Sequence, residues 1–330
     1  MMGLLVNTPS GLYCPKADVY LDPWKPVPRA ILSHGHADHA RWGSANYLCT
    51  PSASPVIRHR LGDISLQTLE YGKEIDLNGV TLSFHPAGHV LGSAQIRVSY
   101  RGEVAVFSGD YKVVADGFCE PFEAVRCHTF ITESTFGLPV YHWTPQEEVF
   151  LEIAAWQTAN RREGRLSVLY AYSLGKAQRL LQGLPACSGP FYTHTQVETV
   201  LEVMRNQGIT LRPTIPIRES TPRADLLKGI IIAPPAAQGA NWMHRFEPMG
   251  HGMVSGWMSL RGMRRRRNAD KGFVLSDHAD WKGLNEAIGQ TGADKILVTH
   301  GYAEILSAWL REKGLDAAPL ETDFEGDETL

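Results

Sequence analysis

Cysteine and long apolar runs are both scarce in this sequence, and each scarcity excludes a class of protein. The five cysteines are odd in number, far apart and never in a Cys-x-x-Cys pair, so neither a cysteine zinc site nor a disulfide framework is expected. No segment is long and apolar enough to span a bilayer, and residues 1–15 lack the pattern of a signal peptide. These absences predict a cytoplasmic protein in a reducing compartment.

An excess of positive charge is also lacking. The formal net charge is -3 at pH 7, with 32 Lys and Arg against 35 Asp and Glu. Any electropositive surface for nucleic acid must therefore be local. The length of 330 residues exceeds the size at which single cores usually stop growing, so two domains are expected. A hydrophobic content of 43% with 20% charged residues is typical of an ordinary globular protein.

The most informative stretch is the run Ser-His-Gly-His-Ala-Asp-His at residues 33–39, which directly follows the apolar, strand-like segment 29–32. Its metal-ligating side chains are His34, His36, Asp38 and His39. Imidazole and carboxylate together suit zinc or manganese, and the small residues between them let the backbone turn tightly around an ion. A surface histidine cluster that binds nothing is the alternative, but burying such a cluster without a partner is costly. The run therefore predicts a metal site, and a two-metal one.

A two-metal centre needs more ligands than this run provides. The further candidates are His89, Asp110 and His300. Glycine stands beside each of them, which allows close approach of the backbone, and a strand is predicted before Asp110 and His300. A lone histidine after a strand is more often a hydrogen-bonded structural residue. Together with the run at 33–39, however, the three residues indicate a dinuclear centre.

The chain changes in pattern near residue 140. Before it, short strands are predicted over 80–84, 94–98, 104–107 and 129–132. After it, strands alternate with helices: one from the Thr144-Pro145 pair to about residue 161, one starting at Ser173, and one that Gly208 ends. This alternation predicts a parallel α/β domain between about residues 139 and 272. Strand-like segments at 273–275 and 295–298 then return to the earlier pattern.

Several motifs, taken in order, resemble those of the β-CASP nucleases of the metallo-β-lactamase superfamily. They are SHGHADHA, AGHVLGSAQ, SGDY, TESTFG, SDHAD and VTHG, and they extend over nearly the whole chain. The resemblance implies an α/β protein with a four-layer αββα metallo-β-lactamase fold and an inserted α/β β-CASP cap domain. The implied boundaries are 1–138 and 273–330 for the two parts of the metallo-β-lactamase domain and 139–272 for the cap.

The resemblance also assigns the metal ligands. It implies that one ion is held by His34, His36 and His89, the other by Asp38, His39 and His300, with Asp110 bridging them. Asp22 resembles the early Asp of the family. That residue holds the loop of ligands, here residues 33–39 and called the metal loop, without being a ligand itself. The expected cofactors are two divalent ions, Zn²⁺ in the first place and Mn²⁺ as the alternative.

Such a centre predicts hydrolysis by attack of a metal-bridging hydroxide on phosphorus. Asp38 is the expected orienter of that nucleophile. We expect His278 to stabilise the scissile phosphate and to protonate the leaving oxygen, with Glu133 fixing the orientation of His278 or of a neighbouring group. The alternative interpretation of His278 is a capped residue at the N-terminus of a helix, because Asp277-His278-Ala279-Asp280 precedes a helical segment.

Two regions are candidates for contacting nucleic acid. The run Arg264, Arg265, Arg266 and Arg267 follows the aromatic Trp257 and could grip phosphates, or it could be a solvated loop. The segment 172–179 resembles the strand-to-helix turn of β-CASP domains, and a helix N-terminus can receive a phosphate. Lys176 and Arg179 would strengthen that site, although both could equally be surface charges.

The predicted function is a two-metal nuclease that hydrolyses phosphodiester bonds of DNA, as an exonuclease in DNA repair. The general pattern of the chain is most similar to the DNA-ligase-associated exonuclease group of bacteria. The expected partners are DNA, single-stranded or at an end, and repair proteins such as a DNA ligase, with no membrane. His300 resembles instead the RNA-processing branch, so a ribonuclease is the first alternative. A thioesterase or small phosphodiesterase on the same scaffold, and a scaffold subunit without catalysis, are further alternatives.

Overall fold

The computed structural model describes residues 3–262 and 269–322. These residues form two compact units. One contains the chain up to His142 and again from Asp277, and the other is Trp143–Ser276. The candidate contacts at Arg264, Arg265, Arg266 and Arg267 lie outside the described residues. No helix in the described part of the chain is long and apolar enough to cross a membrane.

The first unit contains two sheets. The first has the strands Val6–Thr8, Gly11–Cys14, Val19–Leu21, Arg29–Ile31, Asn46–Cys49 and Leu66–Thr68, in that spatial order. The second runs in the spatial order Asp316–Pro319, Lys295–Thr299, Thr129–Glu133, Glu103–Phe107, Ala94–Tyr100, Val80–Pro86 and Glu74–Leu77. Its first four strands are parallel, and the remaining pairs are antiparallel. The helices of this unit are Ser54–Leu61, Trp281–Thr291 and Ala303–Glu312.

Alternating side chains explain how these elements pack in layers. Ile31 in the first sheet and Phe107 in the second point into one shared core, so the two sheets pack face to face. On the outer face of the first sheet, Ala30 packs with the helix Ser54–Leu61. On the outer face of the second sheet, Val106 lies in one core with the helices Trp281–Thr291 and Ala303–Glu312. The order of layers in this unit is thus helix, sheet, sheet and helices.

The second unit has a wholly parallel sheet. Its spatial order is Thr214–Pro216, Phe191–Thr193, Ile230–Ala233, Leu166–Tyr170, Met249–Val254 and Lys271–Phe273. The α-helices are Gln146–Arg162, Lys176–Gly183, Thr195–Asn206 and Arg223–Leu226, with short 3-10 turns at Ala186–Ser188, Pro235–Ala237, Asn241–Phe246 and Gly256–Ser259. The central strands are buried along their whole length, as expected for a sheet covered on both faces.

Three predicted element boundaries were wrong. Pro145 has extended backbone and is itself the N-cap of Gln146–Arg162, so Thr144 does not cap the helix. The helix predicted from Ser173 begins at Lys176, because Gly175 has φ +90° and no right-handed helix can run through it. The strand predicted at 273–275 is Lys271–Phe273, where the chain pairs with Met249–Val254.

Candidate metal centre

The run at 33–39 leaves the first sheet at its inner face. Leu32 still donates a backbone hydrogen bond to Leu48, at 2.8 Å, and the next residue turns toward the second sheet, where the N–H of Ala94 donates to the carbonyl of Ser33 at 2.8 Å. The N–H of Ala40 then donates to the carbonyl of His36 at 2.9 Å and closes the loop. The imidazoles are therefore held between the two sheets by backbone hydrogen bonds on both sides.

Asp22 fixes the orientation of this loop. It follows the strand Val19–Leu21 with φ 38°, a backbone conformation that Asp tolerates better than most residues. Its Oδ1 accepts the N–H of Ser33 at 2.7 Å, and its Oδ2 lies 2.6 Å from Nδ1 of His39. The Ser33 hydroxyl also bonds Oδ2 and lies 2.9 Å from Nδ1 of His34. One buried carboxylate thus orients two imidazoles, with both Nε2 atoms turned toward the site.

Three imidazole nitrogens converge at one point. Nδ1 of His36 lies 3.1 Å from Nε2 of His34 and 3.0 Å from Nε2 of His89. A tetrahedral ion with nitrogen ligands at about 2.0–2.1 Å places those nitrogens roughly 3.3 Å apart. Nδ1 of His89 is directed at the carbonyl of Asp277, at 2.9 Å, which leaves its Nε2 as the ligand atom. The spacing of the three nitrogens therefore suits one metal ion.

Asp110 lies between this group and a second one. Its Oδ2 is 3.6 Å from Nε2 of His34, 3.7 Å from Nε2 of His89 and 3.4 Å from Nε2 of His39. The second group consists of Asp38, His39 and His300, whose ligand atoms lie within 4.8 Å of one another. A single carboxylate oxygen that faces both groups has the position expected of a bridging ligand. Oδ1 of Asp110 is buried and accepts no hydrogen bond from the described part of the chain.

Three residues of this cluster, His34, His89 and Asp110, are in the protonation states that bind a metal ion. Burial and the neighbouring imidazoles lower the pKa of His89 to about 3, and they hold the pKa of His34 well below its usual value. Burial disfavours the carboxylate of Asp110, but the imidazoles of His39 and His278 outweigh it and hold its pKa well below the usual range. Neutral imidazoles and an ionised carboxylate are the forms that ligate metals.

His39 differs from the other imidazoles. Burial opposes its protonation, yet the carboxylates of Asp38, Asp110 and Asp22 raise its pKa well above the usual value. Buried carboxylates need compensating positive charge. The described residues therefore fit divalent cations, and the arrangement of the ligand atoms can take them in two adjacent groups.

His278 and Glu133 form a pair beside the ligands. Nδ1 of His278 lies 3.0 and 2.9 Å from the two carboxylate oxygens of Glu133, and Oε1 also accepts the N–H of Tyr111 at 2.8 Å. Burial disfavours the charged imidazole, but Glu133 and Asp110 raise the pKa of His278 to about 10. The helix Trp281–Thr291 is capped by Asp280, so His278 lies outside it and is not the capped helix residue of the alternative interpretation.

Two glycines allow the backbone to approach these residues closely. Gly109 has φ +55°, and a Cβ there would lie 2.6 Å from Cβ of Ser33. Gly301 has φ +50°, and a Cβ there would lie 2.5 Å from the carbonyl oxygen of Ser134. Each glycine adjoins a candidate ligand, Asp110 or His300, so both ligands depend on a backbone position that only glycine fills without strain.

The predicted nucleic-acid contacts in the second unit are buried rather than on the surface. Lys176 is the first residue of Lys176–Gly183, with Nζ 4.8 Å from the ring centre of Tyr172. Arg179 donates from Nη1 to the carbonyl of Ser276 at 2.5 Å. The alternative in which both are solvated surface charges is therefore wrong.

Sequence reasoning gave no role to two groups that orient the ligands. The hydroxyl of Ser33 joins Asp22 to His34, and the carbonyl of Asp277 receives Nδ1 of His89. Ser33 opens the first histidine motif, and Asp277 directly precedes His278, so their positions within motifs were a usable signal. A backbone carbonyl has no side-chain signature, however, and its role needed the fold.

Comparisons with known proteins give partial likenesses. The sequence matches no family model. It is 32% identical over 319 residues to a protein of Opitutus terrae named probable DNA ligase, a match that covers 95% of this chain and 31% of that protein. It is 31% identical over 119 residues to endoribonuclease ysh1 of Aspergillus fumigatus and 30% identical over 118 residues to endoribonuclease YSH1 of Saccharomyces cerevisiae. These two matches cover 35% of this chain.

The chain thus spans less than a third of the length of these curated relatives. Among solved structures, a protein of unknown function from Enterococcus faecalis is similar with a TM-score of 0.60 and 13% identity. That likeness covers 90% of this chain and 80% of the other. It shows a shared α/β fold and nothing about activity.

Proposed function

We propose that this chain is a two-metal phosphodiesterase of the metallo-β-lactamase superfamily, in its β-CASP branch, and that its substrate is DNA. The observation that carries the proposal is the convergence of two ligand groups on Oδ2 of Asp110, with the His278–Glu133 pair alongside. The layer order of the first unit and the parallel sheet of the second support a four-layer fold with a cap at 139–272.

Each residue has a distinct part. One ion would be held by His34, His36 and His89, the other by Asp38, His39 and His300, with Asp110 shared between them. Two divalent ions, Zn²⁺ or Mn²⁺, would supply an activated water and neutralise charge on the phosphodiester. Asp38 orients that water and accepts its proton. His278 contacts the scissile phosphate from its Nε2 edge and supplies a proton to the leaving oxygen, while Glu133 holds its ring in place.

Similarity along 95% of the chain to a protein named probable DNA ligase favours DNA and a role in repair. We propose an exonuclease that acts in the cytoplasm on single strands or ends, with a DNA ligase as partner. The arginines 264–267 are the proposed phosphate contacts, whereas the buried side chains of Lys176 and Arg179 are left out of this set. The partial similarity to endoribonucleases favours a second candidate, an RNA-processing nuclease.

The test combines metal analysis with cleavage of matched DNA and RNA, each labelled at one end. We expect about two ions per chain, release of single nucleotides from single-stranded DNA, and loss of at least about 100-fold in rate for Asp38→Ala. Cleavage of RNA alone would support the second candidate. Hydrolysis of small esters without cleavage of either polymer would contradict both.

The phosphate contacts need a separate test. Replacing the four arginines 264–267 by alanine should weaken binding of single-stranded DNA and reduce the slope of log affinity against log salt by roughly 0.7 for each lost phosphate contact. An unchanged slope would contradict the assignment of these arginines. It would leave the assignment of the metal ligands standing.

A further inference from the structure

Trp42 is an exposed aromatic side chain close in sequence to the candidate metal ligands, and its exposure calls for an explanation. It is the most exposed large apolar side chain among the described residues, at 73%, and it follows His39 by three residues. An indole left in water forfeits the free energy of burying one of the largest apolar surfaces in a protein. Single exposed apolar residues are ordinary, but Trp42 lies in the turn that directly follows the candidate ligands Asp38 and His39 in the chain.

The turn that carries Trp42 is rigid. On one side, Nε of Arg41 donates to the carbonyl of Asp38 at 3.1 Å. On the other, the hydroxyl of Tyr47 donates to the carbonyl of Arg41 at 2.9 Å and accepts the N–H of Ser44 at 2.8 Å. The indole is therefore presented to solvent by a fixed backbone, and binding to it would cost little ordering entropy.

The exposed apolar side chains of the first unit share a pattern. They are Trp42, Val114, Val140 and Ile305, and they follow His39, Asp110, Glu133 and His300, respectively, by three to seven residues. Asp110, Glu133 and His300 are delivered where neighbouring strands of the second sheet end, so the segments that follow them leave from one edge of that sheet. In the first unit, each exposed large apolar side chain thus comes shortly after a candidate site residue in the sequence.

Positive charge lies on the same loop. Nη1 of Arg60 donates to the carbonyls of Gly35 at 2.7 Å and Ala40 at 3.4 Å, and Nε of Arg41 donates to the carbonyl of Asp38 at 3.1 Å, so both guanidinium groups border the loop at 33–39. Two guanidinium groups that contact the loop of candidate ligands, and an exposed indole in the turn that follows this loop, match the chemistry of a nucleotide strand. Stacking supplies a contact to the base while the cations attract the backbone.

We propose that Trp42 stacks on an unpaired base of the nucleic acid, next to the phosphate bound at the metal centre. The proposal rests on the proposed function. It identifies a residue that binds the nucleic-acid strand on the side of the metal loop. It predicts a preference for single strands or frayed ends, because a base inside a duplex has no free face to offer the indole.

The experiment measures, by anisotropy, binding of the metal-loaded protein to a fluorescein-labelled oligothymidylate whose linkages are phosphorothioates, which slow cleavage during the measurement. Trp42→Ala should raise Kd by about 5- to 150-fold, the range that alanine substitution of stacking aromatics gives. Trp42→Phe keeps a ring and should recover most of that loss. Leu151→Ala is the matched control, since Leu151 is 63% exposed and belongs to the other unit, and it should leave Kd unchanged.

A second readout separates this inference from the proposed function. The metal-loaded Trp42→Ala variant should hydrolyse bis(p-nitrophenyl) phosphate as the parent does, because that ester needs no stacking site. Equal Kd values for the parent and Trp42→Ala would overturn the stacking role even if the nuclease is active. Ring-dependent binding without hydrolysis of any phosphodiester would support stacking and overturn the proposed function. If Trp42→Ala alters only self-association, measured by sedimentation, the indole binds protein and the inference is wrong.

Discussion

Nδ1 of His39 lies 2.6 Å from Oδ2 of Asp22, and this contact sets which nitrogen of the imidazole faces the metal centre. The carboxylate accepts the Nδ1 proton, so Nε2 is the nitrogen that faces Asp38 and Asp110. The same carboxylate holds the N–H of Ser33. A residue that touches no metal therefore determines the geometry of the ligands.

Asp22→Asn should lower metal affinity by about 10- to 100-fold with little change of fold. The amide oxygen can replace Oδ1 toward Ser33, but the NH₂ group then donates to Nδ1 of His39. Nε2 must in turn carry the proton, and it can no longer ligate. Competition with a chromogenic chelator measures the affinity. Asp18→Asn is the control, because the Asp18 carboxylate is exposed and accepts from the Tyr13 hydroxyl at 2.9 Å. Equal affinities for the two variants would contradict this role of Asp22.

Glu133→Gln should reduce kcat while leaving the metal content intact. The amide oxygen can still accept the N–H of Tyr111, but the NH₂ group reverses the polarity of the bond to Nδ1 of His278. We expect a loss of roughly 10²- to 10⁴-fold in kcat, with KM changed much less. Glu103→Gln, an exposed position in the same sheet, serves as control. A loss of bound metal in Glu133→Gln would show that Glu133 acts on the ligands instead.

Gly109→Ala should destabilise the protein more than Gly102→Ala. Both glycines have positive φ, +55° and +86°, so both variants carry the strain of a left-handed Cβ. Only at Gly109 does that Cβ also meet Ser33, whereas at Gly102 nothing lies within 4 Å. The difference between the two melting temperatures therefore reports the clash with Ser33. We expect this clash to lower the free energy of unfolding by about 1–3 kcal/mol. Gly109→Ala should also lose metal affinity, and equal melting temperatures would argue against the close approach.

Glu198 makes the stability of the second unit depend on pH. Burial alone would raise its pKa, but hydrogen bonds from Thr193, Thr214 and Arg205 lower it. The stabilisation is therefore fully present above the unfolded-state pKa of about 4.3 and is lost as the pH falls through the lower folded-state value. Glu198→Gln should cost about 1–3 kcal/mol at pH 7 and progressively less below pH 4. Urea unfolding followed by circular dichroism measures this.

The control for Glu198 is Glu202→Gln, an exposed glutamate on the same helix, Thr195–Asn206. It should leave the midpoint unchanged at both pH values. A constant difference between Glu198→Gln and the parent across the acid range would contradict the assignment, because it would mean that the effect does not depend on ionisation.

The sequence predicted the residues of the two candidate ligand groups because metal chemistry restricts residue type and motif order; the structure brings their side chains together, and their role as ligands stays a prediction. The longer strands of the second sheet, such as Val80–Pro86 and Ala94–Tyr100, were also predictable from alternation. The N-terminal strand Val6–Thr8 was not, since three residues are too few to show a period. The contacts of Ser33 and Asp277 could not be read either, because they join residues that only the fold brings together.

The strand Lys295–Thr299 pairs in parallel with Thr129–Glu133, so that Glu133 lies opposite Thr299. During synthesis, a chain that has emerged only as far as Ser276 already contains the run at 33–39, but neither His278 nor His300. Such a nascent chain cannot complete the centre, and its central sheet still has an open edge. Joining that edge late therefore acts as a checkpoint in assembly, because the two candidate ligand groups are complete only after the strand Lys295–Thr299 has paired.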